Sequence, residues 1–86
     1  MTQYLDIGKE AQSQLIRDLK NNCPYSWTAI AENLGVNRSM MFPYLHGKSK
    51  IPHEKLLLFA KIADYALDEK SLNFVEADFT EKNPII

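Results

Sequence analysis

Residues 27–44 read W-T-A-I-A-E-N-L-G-V-N-R-S-M-M-F-P-Y, and this stretch predicts two short helices joined by a tight turn. The turn lies at Gly35, where a helix C-cap favours the positive φ that a residue with a Cβ adopts at a cost. Apolar residues recur at helical spacing on both sides of the glycine, at Ile30, Ala31, Leu34, Met41 and Tyr44. They give each helix one apolar face, so the two helices can close on a common core.

The residues before the two helices are typical of helix N-caps. Ser26 can accept a hydrogen bond from a backbone N–H of the first helix, and Asn37 can do the same for the second. Ala31 is small at the point where the second helix would cross the first, so the two backbones can approach closely. We therefore expect a helix-turn-helix with helices from about 27 to 34 and from about 38 to 45.

The rest of the chain predicts further helices and no strand. Apolar residues at a strict four-residue spacing predict a first helix near 6–21, at Ile7, Ala11, Leu15 and Leu19. Pro52 suits the opening of a fourth helix, whose core stripe is Leu56, Ala60 and Ala63. A fifth helix is allowed near 69–79. The expected fold class is all-α, a compact bundle of about five short helices.

The helix-turn-helix is followed by Y-L-H-G-K at 44–48, I-P at 51–52 and a leucine-rich segment at 56–63. This order resembles the lambda-repressor/Cro-like (XRE) family of helix-turn-helix DNA-binding domains over about residues 9–66. The resemblance implies a third helix in the DNA major groove, usually in a homodimer on a palindromic operator and usually in a transcriptional repressor. A small domain without a sensor module is typical of phage or mobile-element regulators.

Length and composition fit one small domain. The 86 residues can build a single core, which is marginal unless packing is good or a partner helps. We expect a helix-turn-helix DNA-binding domain over 1–67 and a C-terminal extension over 68–86, with a dimerisation helix and a loose end. No apolar run approaches the roughly 18 residues of a membrane span. No signal-peptide pattern opens the chain, so we expect a soluble, cytoplasmic protein that does not bind membranes.

Charge is distributed unevenly along the chain. The net charge of -1 argues, taken alone, against a nucleic-acid binder. Residues 38–61, however, contain five basic residues and one acidic residue, a net charge of +4, while residues 62–86 carry a net charge of -4. The positive segment coincides with the third helix, which the resemblance places in the major groove, and with the loop after it. Positive charge at these positions would attract DNA phosphates.

The resemblance assigns base reading to the start of the third helix. The first exposed positions there match Arg38 and Ser39 of this sequence. Because of the proline at position 43, we expect base contacts to concentrate at the N-terminal end of the helix, on Asn37, Arg38, Ser39 and Met40. Arg38 can make two hydrogen bonds to guanine O6 and N7, and Ser39 can bond a base or a phosphate. A phosphate clamp without sequence information stays open as the alternative for Arg38.

Three residues of this helix depart from the family pattern. Pro43 stands where relatives often carry a polar base-reading side chain, and a proline costs about 3 kcal/mol in a regular helix interior. We therefore expect a short or kinked helix with little base reading after Pro43. Met40 and Phe42 stand where the family commonly has polar residues. Contact with thymine methyl groups and packing against a neighbouring element or partner both stay open for them.

The resemblance assigns phosphate contacts to two segments, the N-terminal turn of the second helix and the loop after the third. A helix N-terminus offers N–H groups and a partial positive charge to an anion. In this sequence the two segments match Ser26, Trp27, Thr28, His46, Lys48, Ser49 and Lys50. Core packing for Trp27 and a solvated loop cation for Lys50 stay open as alternatives.

Enzyme and metal chemistry have no support in the sequence. Paired acids, a Gly-rich phosphate loop and a nucleophile motif are missing, and His46 and His53 do not match a zinc spacing. We expect no catalysis, metal, cofactor or small-molecule ligand. The leading hypothesis is a sequence-specific regulator that binds double-stranded DNA. The alternative is a helix-turn-helix protein-interaction module that binds DNA weakly or not at all.

The fourth helix is more apolar than one core requires. An exposed apolar patch of this kind is rare in monomers, so we expect a homodimer. The interface candidates are Phe59, Ile62, Leu72, Val75 and Phe79. The competing account is that the C-terminal segment folds back and covers the patch within one subunit.

Overall fold

The computed structural model describes residues 2–77, which form four α-helices and a two-stranded sheet. In chain order the elements are β1 (Thr2–Leu5), α1 (Lys9–Asn22), α2 (Trp27–Leu34), α3 (Arg38–His46), α4 (His53–Ile62) and β2 (Phe74–Ala77). A short 3-10 helix at Glu69–Ser71 precedes β2. The helices on both sides of Gly35 were predicted correctly, although α3 runs through Pro43 and ends one residue later than expected.

The predicted all-α bundle of about five helices is wrong, because the two ends of the described chain form an antiparallel sheet. Thr2 lies opposite Ala77, and Leu5 lies opposite Phe74. The sheet is tied to the helical part, since the Leu5 amide donates to the Ile51 carbonyl at 2.9 Å. The fold is therefore a mixture of α-helix and β-sheet.

The predicted helix near 69–79 is also wrong. The Asp68 carboxylate accepts a hydrogen bond from the Lys70 amide at 3.3 Å, and this cap starts only a three-residue 3-10 helix. Leu72 is already extended, with φ -109° and ψ 150°, and β2 follows. Aromatic and β-branched residues such as Phe74 and Val75 favour a strand once a partner strand is available. The interface candidate Phe79 lies outside the described residues.

The apolar face of α1 differs from the predicted one. Ala11 of the expected stripe is exposed, and α1 begins at Lys9, after a Gly8 with φ 92°. The buried face consists of Gln12, Ile16 and Leu19. These positions follow the same helical spacing. Because one of them is a glutamine, a search for apolar residues at that spacing does not find this face of the helix. Ile16 and Leu19 join a core completed by Leu5, Ile30, Leu34, Ile51, Leu56 and Phe59.

Helix α4 supplies the largest fully buried side chain of the described residues, Phe59. Pro52 precedes its first residue, as predicted, and Leu56, Phe59 and Ala60 are buried. Phe59 has no exposed surface, so its assignment to a dimer interface is wrong. On the opposite side of α4, Leu57 and Leu58 remain exposed.

A buried glutamine joins α1 to the end of α3. Gln12 is 3% exposed, and its Nε2 donates to the Tyr44 carbonyl at 2.9 Å and to the Ser49 carbonyl at 2.8 Å. One amide group therefore holds the last turn of α3 and the loop after it against α1. Removing the donor from buried acceptors of this kind lowers the stability of the fold by more than the hydrogen bond itself contributes.

Gln12→Leu is expected to lower the free energy of unfolding by about 1–3 kcal/mol, because two carbonyls lose their donor while the side-chain volume is nearly kept. Urea unfolding measures the change. The matched control is Gln14→Leu, since Gln14 is exposed on the same helix and, within residues 2–77, its side chain bonds only to Asp18, at 3.0 Å. We expect the control to change stability by less than about 0.5 kcal/mol. Equal midpoints for the two variants would contradict the role of Gln12.

The same junction has a very close backbone contact. Gly47 ends α3 with φ 72°, and a Cβ at this position would lie 2.7 Å from the Lys9 Cα and would also meet the Lys9 carbonyl oxygen. Neither atom belongs to a flexible side chain. A side chain at position 47 would therefore push α1 away from the end of α3.

Gly47→Ala is expected to destabilise the protein clearly more than Gly35→Ala. Both positions have a positive φ, which costs a residue with a Cβ about 1–2 kcal/mol. Among the described residues, a Cβ at Gly35 would meet only the Nζ of Lys55, at 3.6 Å. Thermal unfolding of the two variants separates the backbone cost, which they share, from the clash at Gly47. Equal losses of stability in the two variants would show that α1 moves away from position 47 at no cost in free energy.

No helix within residues 2–77 is both long enough and apolar enough to cross a membrane. The same part of the chain contains no group of three or more His, Cys, Asp or Glu side chains placed to hold a metal ion.

Candidate nucleic-acid interface

The corner between α2 and α3 depends on the two ends of α2, which Ser26 caps at the start and Gly35 at the end. The Ser26 hydroxyl accepts a hydrogen bond from the Ala29 amide at 3.2 Å, as predicted for an N-cap. At the other end Gly35 has φ 74°, and the Val36 amide donates to the Ala31 carbonyl at 3.0 Å. The Gly35 amide donates to the Glu32 carbonyl at 3.2 Å, and together with the Val36 bond it forms a Schellman motif, which turns the chain sharply into α3. Ala31 itself is 1% exposed.

Helix α3 has one buried face and one exposed face. Met41 and Tyr44 are buried in the core, as predicted, and burial raises the pKa of the Tyr44 phenol, with a smaller contribution from Tyr4. Arg38 and Phe42 lie on the exposed side. The core contacts of α3 therefore fix which side chains it presents to solvent.

The four predicted base-reading residues do not form one group. Asn37, Arg38 and Ser39 are exposed around the first turn of α3, while Met40 is half-buried. Met40 lines a cavity with Tyr4 and Pro52 on the side of the molecule that carries β1. The structure thus exposes three of the four residues, whereas Met40 is partly covered and shares its cavity with Lys48, Ser49 and Lys50 of the loop after α3.

Asn37 does not act as the predicted side-chain cap. Within the described part of the chain its side chain makes no capping hydrogen bond, and α3 begins with a backbone bond from the Met40 amide to the Asn37 carbonyl at 2.9 Å. The residue is nevertheless extended, with φ -69° and ψ 146°, as an N-cap residue usually is. Its exposed amide group is therefore not engaged in helix capping.

The predicted phosphate contacts at the start of α2 divide into two kinds. Ser26 and Thr28 are exposed, whereas Trp27 is half-buried. The Trp27 ring meets Phe59 edge-on at a centroid distance of 6.4 Å, and the Lys20 Nζ lies 5.5 Å from the Trp27 ring centroid. Packing against the core is thus the main structural role of Trp27.

Hydrogen bonds to the Pro43 carbonyl and an ion pair with Asp6 hold the loop after α3. The Pro43 carbonyl accepts hydrogen bonds from the Lys48 amide at 2.9 Å and the Ser49 amide at 3.3 Å. Ser49 is half-buried, and Lys48 is exposed. The Lys50 Nζ lies 3.5 Å from the Asp6 carboxylate, an exposed ion pair that water and salt screen. Lys48 is therefore the loop cation best placed to meet an anion.

Helix α1 adds basic residues that sequence analysis did not assign to the site. A cleft of about 390 Å³ between α1 and the end of α3 is lined by Lys9, Glu10, Ser13, Gln14, Arg17, His46 and Lys48. Arg17 also borders a neighbouring hollow with Lys20 and Leu45. The sequence placed Lys9 and Arg17 on the polar face of a helix, and no local pattern indicates that this face lies beside the loop at 47–50.

Comparisons of this chain with protein-family models, with curated proteins and with solved structures find no match. The function must accordingly be inferred from the chemistry of this surface.

Proposed function

We propose that this protein is a sequence-specific DNA-binding transcriptional regulator of the lambda-repressor/Cro-like type, which acts as a repressor and binds a palindromic operator as a homodimer. The observation that carries the proposal is the division of α3 into two faces. Met41 and Tyr44 anchor it in the core, while Arg38 and Ser39 are exposed on its first turn. A helix held in this way can enter the major groove without disturbing its own packing.

The exposed groups at the start of α3 suit base edges. A guanidinium such as that of Arg38 can bond guanine O6 and N7 together, and an amide such as that of Asn37 can bond adenine N6 and N7. The Ser39 hydroxyl can donate or accept. These three side chains lie within one turn, so they would read neighbouring base pairs at the N-terminal end of α3.

The distribution of charge supports phosphate contacts at the opposite end of α3 from that turn. Lys48 lies in the loop after α3, and Arg17 and Lys9 line the cleft beside it. Residues 38–61 carry a net charge of +4 although the whole chain carries -1. Local positive potential steers DNA to a surface even where the net charge is unfavourable.

The test is a band shift with the full chain, on a site selected from a random DNA pool and on random DNA, over a range of salt concentrations. Lys48→Ala is expected to weaken binding to both DNAs alike and to reduce the slope of log K against log salt by about 0.9. Lys61→Ala is the matched control, because Lys61 is an exposed lysine of α4 in the same basic segment. The control is expected to keep the wild-type slope, and a slope that Lys48→Ala leaves unchanged would remove Lys48 from the interface.

In the same assay Arg38→Ala is expected to cost about 1–3 kcal/mol on the selected site and much less on random DNA, as a base-reading residue does. Equal losses on both DNAs would make Arg38 a phosphate contact. If no DNA is preferred over random DNA, the proposed function is wrong.

A protein-interaction module is the second candidate function. The observation that favours it is Phe42, whose side chain is 66% exposed on the face that would meet DNA. An apolar ring in this position suits a protein partner as well as a base. A protein of this class would show no selected DNA site in the experiment above.

The proposed homodimer uses the exposed side of α4. Leu58 is 39% exposed, and Ile62, one turn further along the same face, is half-buried. The candidates Leu72 and Val75 are also half-buried, so they retain surface for a partner. A two-fold dimer would place two α3 helices about 34 Å apart, one turn of DNA.

Leu58→Glu is expected to shift the full chain from dimer to monomer in sedimentation over a micromolar concentration series, because a charge in an apolar interface opposes association. Tyr25→Glu is the control, since Tyr25 is 47% exposed but lies in the loop between α1 and α2. A wild-type chain that sediments as a monomer throughout the series would rule out the proposed dimer.

A further inference from the structure

Phe42 is the most exposed large apolar side chain among residues 2–77. It lies one helical turn after Arg38 and one turn before His46, so the three share a stripe along α3. The Phe42 ring stacks on the His46 ring, with centroids 5.5 Å apart and planes inclined by 25°. The stacking holds the aromatic ring on the surface of the helix.

A cavity of about 290 Å³ lies beside the ring, between the start of α2 and α3. Its apolar wall is formed by Trp27, Met41, Phe42 and Leu45, and its polar edge is formed by Arg38 and Ser39. The cavity therefore pairs hydrogen-bonding groups at one end with an apolar surface at the other. An occupant that matches both parts must combine a polar edge with an apolar group.

We infer that Phe42 and this apolar wall bind the C5-methyl group of a thymine in the DNA major groove, within a few base pairs of the base contacted by Arg38. The inference rests on the proposed function. The thymine methyl is the apolar group that the major-groove edge of DNA presents, and an aromatic ring offers nothing to the donors and acceptors of the other bases. A phosphate finds no partner on such a ring either.

The position of the thymine follows from helix geometry. Four residues separate Phe42 from Arg38, a distance of about 6 Å along α3. Base pairs are stacked about 3.4 Å apart. The thymine is therefore expected about two base pairs from the guanine that Arg38 contacts. The protein would therefore recognise two positions together, a guanine through hydrogen bonds and a thymine through its methyl group.

The experiment replaces each thymine of the selected DNA site, one at a time, by deoxyuridine, which removes the methyl group and leaves every hydrogen-bonding group unchanged. For the wild-type chain we expect one thymine near the Arg38 contact in each half of the palindromic site, and replacing either one should weaken binding about three- to five-fold, as the loss of one buried methyl group does. Deoxyuridine at thymines flanking the site is the DNA control.

Protein variants connect the effect to the ring. Phe42→Ala is expected to bind the thymine and deoxyuridine sites equally, while Phe42→Leu keeps an apolar contact and part of the difference. Tyr25→Ala, at an exposed aromatic residue in the loop between α1 and α2, is expected to keep the wild-type ratio. Because Phe42 is exposed, neither substitution at this position removes a core contact.

Two results overturn the inference while leaving the proposed function intact. One is specific binding by the wild-type chain with equal affinity for thymine and deoxyuridine at every position. The other is a Phe42→Ala variant that keeps the wild-type ratio. A chain that selects no DNA site at all overturns the proposed function itself, and Phe42 would then be better explained by a protein partner.

Discussion

The Gln12 amide is the interaction on which the arrangement of the helices depends. By donating to the Tyr44 and Ser49 carbonyls, it joins α1 to the last turn of α3 and to the loop that carries Lys48. Gly47 lies between these two carbonyls in the chain and lets the Lys9 backbone approach closely. Because the acceptors are backbone atoms, this junction fixes the direction of the chain rather than one side chain. This junction therefore also determines the position of the cleft between α1 and the end of α3.

The corner at Gly35 sets the other end of α3, so the helix is held at both termini. Its start follows the Schellman motif of α2, and its end meets α1 through Gln12. Between these points Met41 and Tyr44 are buried, and the remaining face carries Arg38 and Phe42. The surface we propose for DNA is thus a rigid helix face in which a cation and an aromatic ring occupy successive turns.

Local patterns in the sequence predicted the parts of the fold that depend on local contacts. The bounds of α2, the Ser26 cap and the turn at Gly35 follow from neighbouring residues, and all three were predicted correctly. The strands β1 and β2 could not be found in this way, because each has four residues and its partner lies at the other end of the chain. Gln12 was missed because buried positions were sought among apolar residues. Phe59 was assigned to a dimer because the sequence does not show which side of an apolar helix meets the core.

The pairing of β1 with β2 has a consequence for how the molecule folds. Thr2 and Ala77 are 75 positions apart in sequence, so closing the sheet from an unfolded chain carries a large entropic cost. Once the helices have packed, Leu5 and Ile51 already bring the first strand to its place, and little of that cost remains. The sheet is therefore expected to form after the helical nucleus. Its hydrogen bonds would then slow the unfolding rate while leaving the folding rate nearly unchanged.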